Sequence, residues 1–298
     1  MKQITLDEEY KKDTRITPHD VAELRKWLQT QPHLPEKYIS DLDLILAYHC
    51  CHNSSGLTKQ VLDLNLTLRT LFNNIFKDRY NDRIEKIVTN ILMTTLSKRT
   101  KEGYVIFYTR LLNNDPKVFH FGDAVKAVLM IIELYQYEEG TWPGMLLTVD
   151  FKDVTLAHLA KIDLFYLQHF LYYLQEAILL RLKGMHFMNA PPFIDKVLLM
   201  MKPFMKKELM DMLYVHTTGS KTVEDYIPSE ALPKESGGNA ESVEKHRDIV
   251  LAKLKDHKPY FEEESQKRVT ESLRAGKQKT ISDIFGGVEG SFKKLEID

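Results

Sequence analysis

Apolar positions recur at helical spacing over residues 18–29, where Val21, Leu24, Trp27 and Leu28 share one face and Thr17 ahead of Pro18 supplies an N-cap. The same periodicity predicts helices over residues 40–49 and 57–72, so the first hundred residues read as helical. At Gly103 the texture changes: GYVIFYTRLL gathers aromatic and β-branched residues and runs into Asn-Asn-Asp-Pro, the pattern of a strand ending in a turn. Beyond it the two periods alternate. Helices are predicted over residues 121–137 and 156–181, the second with a break near Ile162, and over 192–212. Strands are predicted over residues 144–150, 183–189 and 213–218. Such alternation favours parallel pairing, hence an α/β class with a mainly parallel sheet behind an N-terminal helical module. Residues 242–273 are helical but heavily charged, fitting a surface position, and the glycine-containing stretch 276–298 reads as a draped or mobile tail. The expected division is 1–97, 98–240 and 241–298.

The segment 191–213 (PPFIDKVLLMMKPFMKKELMDML) is unusual for a surface helix. Phe193, Val197, Leu198, Met201, Phe204, Met205, Leu209 and Met212 cover one broad flank, which has to be buried against something. Ordinary core packing is one answer. A ligand cavity is the other, and the methionines at 188, 200, 201, 205, 210 and 212 would suit its irregular walls. Side chains on a strand alternate faces, so Ile106, Tyr108, Leu147, Val149 and Phe187 are candidate wall positions, with the opposite register standing as an alternative. Tyr166, Phe170 and Tyr173 fit one face of a neighbouring helix.

Composition narrows the classes. With 298 residues, 43% of them hydrophobic, the chain can bury a sizeable core. Lys and Arg number 41 against 42 Asp and Glu, so the net charge of -1 gives no general attraction to nucleic acid. No apolar run reaches the ~18 residues of a membrane span, and the charged first thirty residues do not form a secretory signal, so a cytoplasmic protein is expected. The two cysteines, Cys50 and Cys51, are adjacent and expected to point apart, which fits a reducing compartment. His49 and His52 flank them, yet no second ligand pair stands at zinc-finger spacing, so no metal is expected. The marks of nucleophile elbows, P-loops, dinucleotide folds and zinc peptidases are absent, so no enzyme is expected. Asp150, Asp153 and His158 could be drawn as an acid and base, but carboxylates at strand ends commonly cap the next turn.

Three stretches also carry a resemblance. WLQTQPHLP at 27–35 leads to TKQVLDLNLTLRTLF and DRY at 78–80; PGMLLTVDFKDVTLAHL occupies 143–159; RLKGMHFMNAPPFIDKVLLMMKPFMKKEL occupies 181–209 and is followed by LPKESGG. In that order they resemble the CRAL-TRIO family, of the kind that carries tocopherol or retinoid and of its clavesin-like phosphoinositide binders. The resemblance implies an N-terminal helical module, a lipid-binding α/β domain and a gate helix over an apolar pocket lined by Phe193, Val197, Leu198, Met201 and Met205 beside the strand and helix positions above. It implies a hydrophobic ligand of tocopherol, retinoid or carotenoid type in place of a cofactor.

Charge sharpens one region. Arg181, Lys183, Lys196, Lys202, Lys206 and Lys207 face a single acid, Asp195, over 181–207, a cluster suited to acidic membrane lipids. The resemblance places Arg181 and Lys183 where relatives hold phosphoinositide phosphates, while Glu208 and Met212 stand where further cations would be expected. The expected protein is a monomeric carrier that docks transiently on anionic membranes; a phosphoinositide-binding trafficking adaptor and an enzyme on a similar sheet are the alternatives.

Overall fold

The computed structural model describes residues 2–286. Its strands, Ile91–Thr95 (β1), Val105–Leu111 (β2), Met145–Asp150 (β3), Leu182–Ala190 (β4) and Leu213–Thr217 (β5), lie side by side in chain order. β1 and β2 are antiparallel; β2 through β5 are parallel. A parallel sheet that grows steadily in one direction, with right-handed crossovers, puts all its connecting helices on one face. Phe121–Glu139, Leu164–Glu176 and Ile194–Met201 are those helices. The opposite face carries Ile106, Tyr108, Leu146 and Met188, covered by Val223, Ile227, Ala231 and Leu232 from short turns. The α/β class and the helical front module hold.

Several elements differ from the sequence reading. Residues 91–95 are strand, not helix: Ile91–Thr95 is buried throughout and pairs with Leu111 to Phe107, and periodicity cannot assign so short an apolar run. The long helix expected over 192–212 is three pieces, Ile194–Met201, a 3-10 turn Lys202–Phe204 and Lys207–Asp211. Pro203 is the cause, since it cannot donate the amide hydrogen that would continue the ladder. The helix 156–181 divides at Ile162 as expected but stops at Glu176. The charged C-terminal stretch forms Val243–Asp256 and Lys258–Glu264 and ends in a 3-10 turn, Glu271–Leu273. Within the expected tail, Ile281–Phe285 is a short helix whose Phe285 ring stacks near Phe72 and His169, 5.9 and 5.4 Å between centroids. Residues 287–298 lie outside the described part.

The front helices Pro18–Gln29, Asp41–Cys50 and Ser55–Leu71 bury Leu24, Leu28, Leu44, Ile45, Leu62 and Leu66 among themselves. They attach to the rest through an apolar cluster that joins Leu68 and Phe72 to Val125 and Leu129, and through polar contacts. The amide of Asn65 donates to the Tyr173 hydroxyl and the Ala177 carbonyl, both at 2.8 Å. Deeper still, Arg69 pairs with Glu133 at 2.9 Å and with Glu264, and Arg79 reaches the other Glu133 oxygen at 2.7 Å. Lys267 holds Asp43 at 2.8 Å and also Glu264. These ions tie the front helices, the helix Phe121–Glu139 and the C-terminal helices at one point. Cys50 and Cys51 are free thiols with sulfurs 3.7 Å apart. They do not point apart as expected, because Cys51 has left regular helical geometry at the C-cap of its helix.

Candidate functional site

Between the sheet and its covering helices lies a cavity of about 220 Å³. Its floor is the odd-numbered face of the central strands, with Leu147 and Val149 from β3 and Met185 and Phe187 from β4. Phe119, Phe121 and Val128 supply one wall, Leu167, Phe170 and Leu171 another, and Phe193, Val197, Met200 and Met201 the roof. Phe151 meets Phe187 edge-on, 5.1 Å between centroids, at the end of the floor. A larger void of about 420 Å³ lies between the front helices and Phe121–Glu139, but Asp43, Arg69, Glu133, Glu264 and Lys267 line it. An apolar guest there would strip water from charged groups, so the smaller, greasy cavity is the better candidate.

Seven of the thirteen sequence-derived wall residues line this cavity: Leu147, Val149, Phe170, Phe187, Phe193, Val197 and Met201. Six do not. Ile106 and Tyr108 are on the other face, because β2 and β3 pair with Phe107 opposite Leu147 and Thr109 opposite Val149, which puts the even positions of β2 on the far side. There the Tyr108 hydroxyl donates to Asp150 at 2.6 Å, and burial together with that carboxylate pushes its pKa up. The helix Leu164–Glu176 is turned by about one residue from the expected face, so Leu167 and Leu171 flank Phe170. Tyr166 packs on Gly122, where an added Cβ would fall 2.6 Å from its ring, and Tyr173 receives Asn65. Leu198 and Met205 are half-buried against the same core without reaching the cavity. Of the clustered methionines, Met200 and Met201 line it; Met185 and Met93, which had not been singled out, do too.

The roof helix Ile194–Met201 is amphipathic in the useful sense. Val197 and Met201, each 6% exposed, face the cavity; Lys196, Leu199 and Lys202, three residues apart, face water, with Leu199 70% exposed. Its end is fastened by Gln175, a residue that sequence reading missed. The Gln175 amide donates to the Phe204 carbonyl at 2.9 Å, and its oxygen accepts the Lys206 amide at 2.7 Å. The Lys206 ammonium adds an ion pair to Glu176 at 2.5 Å. Two such hydrogen bonds contribute about 1 kcal/mol each and an exposed pair less, so release of this end is within reach of a binding event.

The basic residues are less uniform than their count. Lys206 is paired with Glu176, and Lys207 with Asp211 at 3.3 Å. Arg181 donates through Nε and Nη2 to the His49 carbonyl at 2.9 and 2.6 Å, and burial lowers its pKa. Lys183 lies over the Tyr104 ring, 5.8 Å from its centre. Lys196 and Lys202 make no ion pair among the described residues, so they are the cations left to face a partner.

Asp150, at the end of β3, is held by hydrogen bonds from several sides. It accepts from Tyr108, from Asn189 at 2.8 Å and from the Lys152 amide at 3.0 Å, the turn-capping role expected of it. His158 caps the turn Leu156–Leu159 and also lines the cavity. Among the described residues no three His, Cys, Asp or Glu side chains converge as a metal site, and no helix is long and apolar enough to cross a membrane.

A CRAL/TRIO domain model matches residues 89–238, and a Pinta-like, UBA domain model matches residues 13–85. Curated relatives include the human alpha-tocopherol transfer protein-like protein, 24% identical over 204 residues that make up 68% of this chain and 55% of that protein. Clavesin-1 of Xenopus laevis is 26% identical over 180 residues, 60% of this chain and 53% of its own. Clavesin-1 of Mus musculus is 23% identical over 226 residues, 75% and 64% respectively. The chain thus spans about half to two thirds of the length of these relatives.

Proposed function

This chain belongs to the CRAL/TRIO family, and we propose that it holds a single hydrophobic molecule of tocopherol, retinoid or carotenoid type behind the helix Ile194–Met201 and exchanges it at anionic membranes. The observation that carries this reading is the apolar cavity roofed by a helix whose inner face is Val197 and Met201 and whose outer face is Lys196, Leu199 and Lys202. Each methylene group moved from water into such walls contributes about 0.8 kcal/mol, so a greasy ligand binds without strong polar contacts. At about 220 Å³ the room is below the ~300–1,000 Å³ usual for small-molecule sites. A ligand of that size is accommodated by outward movement of the roof, and the light fastening at Gln175 allows it. The same movement is the step that admits and releases cargo, and it is favoured where Lys196 and Lys202 meet acidic headgroups while Leu199 meets the bilayer. The protein acts as a monomer in the cytoplasm, at membranes only transiently, and without covalent chemistry.

Organic extraction of the purified protein followed by mass spectrometry tests the first half: one apolar compound per chain is expected. An empty protein that still binds vesicles in a headgroup-specific way would favour a phosphoinositide-dependent adaptor instead. The membrane half is tested by Lys196→Gln with Lys202→Gln. Both side chains are exposed and make no ion pair among the described residues, so the exchange leaves the Lys206 fastening in place. At about 1 kcal/mol per cation, vesicles rich in phosphatidylserine should be bound about 30-fold more weakly, with transfer slowed and ligand capacity kept. Equal transfer rates would remove this face from the mechanism.

A further inference from the structure

The polar groups around the cavity are nearly all spoken for. Thr109 donates to the Thr148 carbonyl, Arg110 to the Glu235 carbonyl and to Ser236, and Asp150 has its three donors. His158 is different. It is 3% exposed, lines the cavity, and its Nε2 has no hydrogen-bond partner among the described residues. Its tautomer follows from its other nitrogen. The Thr155 backbone amide, which can only donate, points at Nδ1 from 3.2 Å, so Nδ1 is the acceptor. A neutral imidazole that accepts at Nδ1 carries its proton on Nε2. Burial, which holds the pKa below its ordinary value, supports the neutral form. The Phe119 ring, its centre 5.6 Å from the imidazole centre and the two planes near perpendicular, offers the N–H nothing better than a weak aromatic contact. A buried donor left unmet costs about 1–3 kcal/mol, and the cavity is the space beside it from which a partner could come.

We propose that His158 Nε2–H is the polar anchor of the cavity and selects, among apolar ligands, those carrying an oxygen that accepts a hydrogen bond. This rests on the lipid-binding reading above and narrows it: hydroxyl-, ether- or carbonyl-bearing molecules are preferred, and pure hydrocarbons, the unoxygenated carotenes among them, are not. The Thr155 cap fixes the ring, so the anchor is positioned before any ligand arrives.

The test loads the purified, delipidated chain with a medium-chain alkane or with the methyl ketone of the same carbon number, and measures what is retained per protein after gel filtration. The ketone should be retained about tenfold better than the alkane by the native chain. His158→Phe should abolish the difference by weakening ketone retention, and His158→Gln, whose amide can both cap Thr155 and donate, should restore much of it. If neither probe is retained, the lipid-binding reading fails. If both are retained equally by the native chain, or the preference survives in His158→Phe, the anchor is refuted and the pocket stands. Should His158→Phe not fold, nitrogen NMR of the native imidazole decides: ketone, but not alkane, is expected to shift the Nε2 resonance, and an unmoved resonance overturns the proposal.

Discussion

Val197→Asp should empty the cavity, with at least a hundredfold loss of ligand retained after extraction and little change in the far-UV circular dichroism. Val197 is 6% exposed and faces the cavity from the middle of its roof. A carboxylate there either sits unpaired among Phe187, Phe193 and Leu171 or turns toward water, which the roof permits only by lifting. The first costs several kcal/mol and the second opens the site; both remove the closed state on which retention depends. Because the roof is a short element whose end is fastened by Gln175, the damage stays local. Leu199→Asp, on the outer face of the same helix, is the control and should keep its ligand. Undiminished retention in Val197→Asp would mean that the cargo is held elsewhere.

Glu133→Ala is expected to lower unfolding stability by about 3–5 kcal/mol, a large share of the ~5–15 kcal/mol that holds a typical fold together. Arg69 and Arg79 are both buried, and Glu133 gives one oxygen to each. With the carboxylate gone, Arg69 keeps Glu264 and Arg79, two of whose nitrogens have no partner among the described residues, loses the counterion it has there. The cost is that of leaving a desolvated cation rather than the worth of a contact, so Glu133→Gln, which keeps an oxygen but not the charge, should lose a similar amount or slightly less. Urea denaturation measures it. A shift of the midpoint equivalent to less than 1 kcal/mol would show that water or side-chain movement satisfies the two guanidinium groups.

The two variants probe different things, and the contrast bears on how the molecule works. The ion network joins the front helices to the cavity-bearing half through residues that do not line the cavity, so it stabilises the frame while the roof is held by other contacts. A frame worth many kcal/mol with a lid worth a few is the arrangement that lets one element move without unfolding the rest.

Much of this was legible in the chain itself. The switch from helical to alternating spacing at Gly103 located the sheet, and the flank from Phe193 to Met201 announced a helix with something to cover. The outward lysines at 196 and 202 follow from the same periodicity. Phase is less legible: β2 takes the alternative register, which turns Ile106 and Tyr108 away from the cavity that Thr109 lines. Helix Leu164–Glu176 is turned by about one position from its expected face, and Pro203 divides the helix expected over 192–212.

These differences share a physical origin. An element's period is a local property, written in which residues are apolar and how far apart they stand, and the sequence alone determined it for the front helices, the central strands and the roof. The phase of one element against the next is set by pairs far apart in the chain, such as Phe107 beside Leu147, Tyr166 on Gly122 and Gln175 holding Phe204 and Lys206. Only the tertiary structure decided these, along with the sharing of Glu133 by two arginines and the unmet proton of His158, because burial and hydrogen-bond satisfaction are properties of the assembled surroundings and not of any residue by itself.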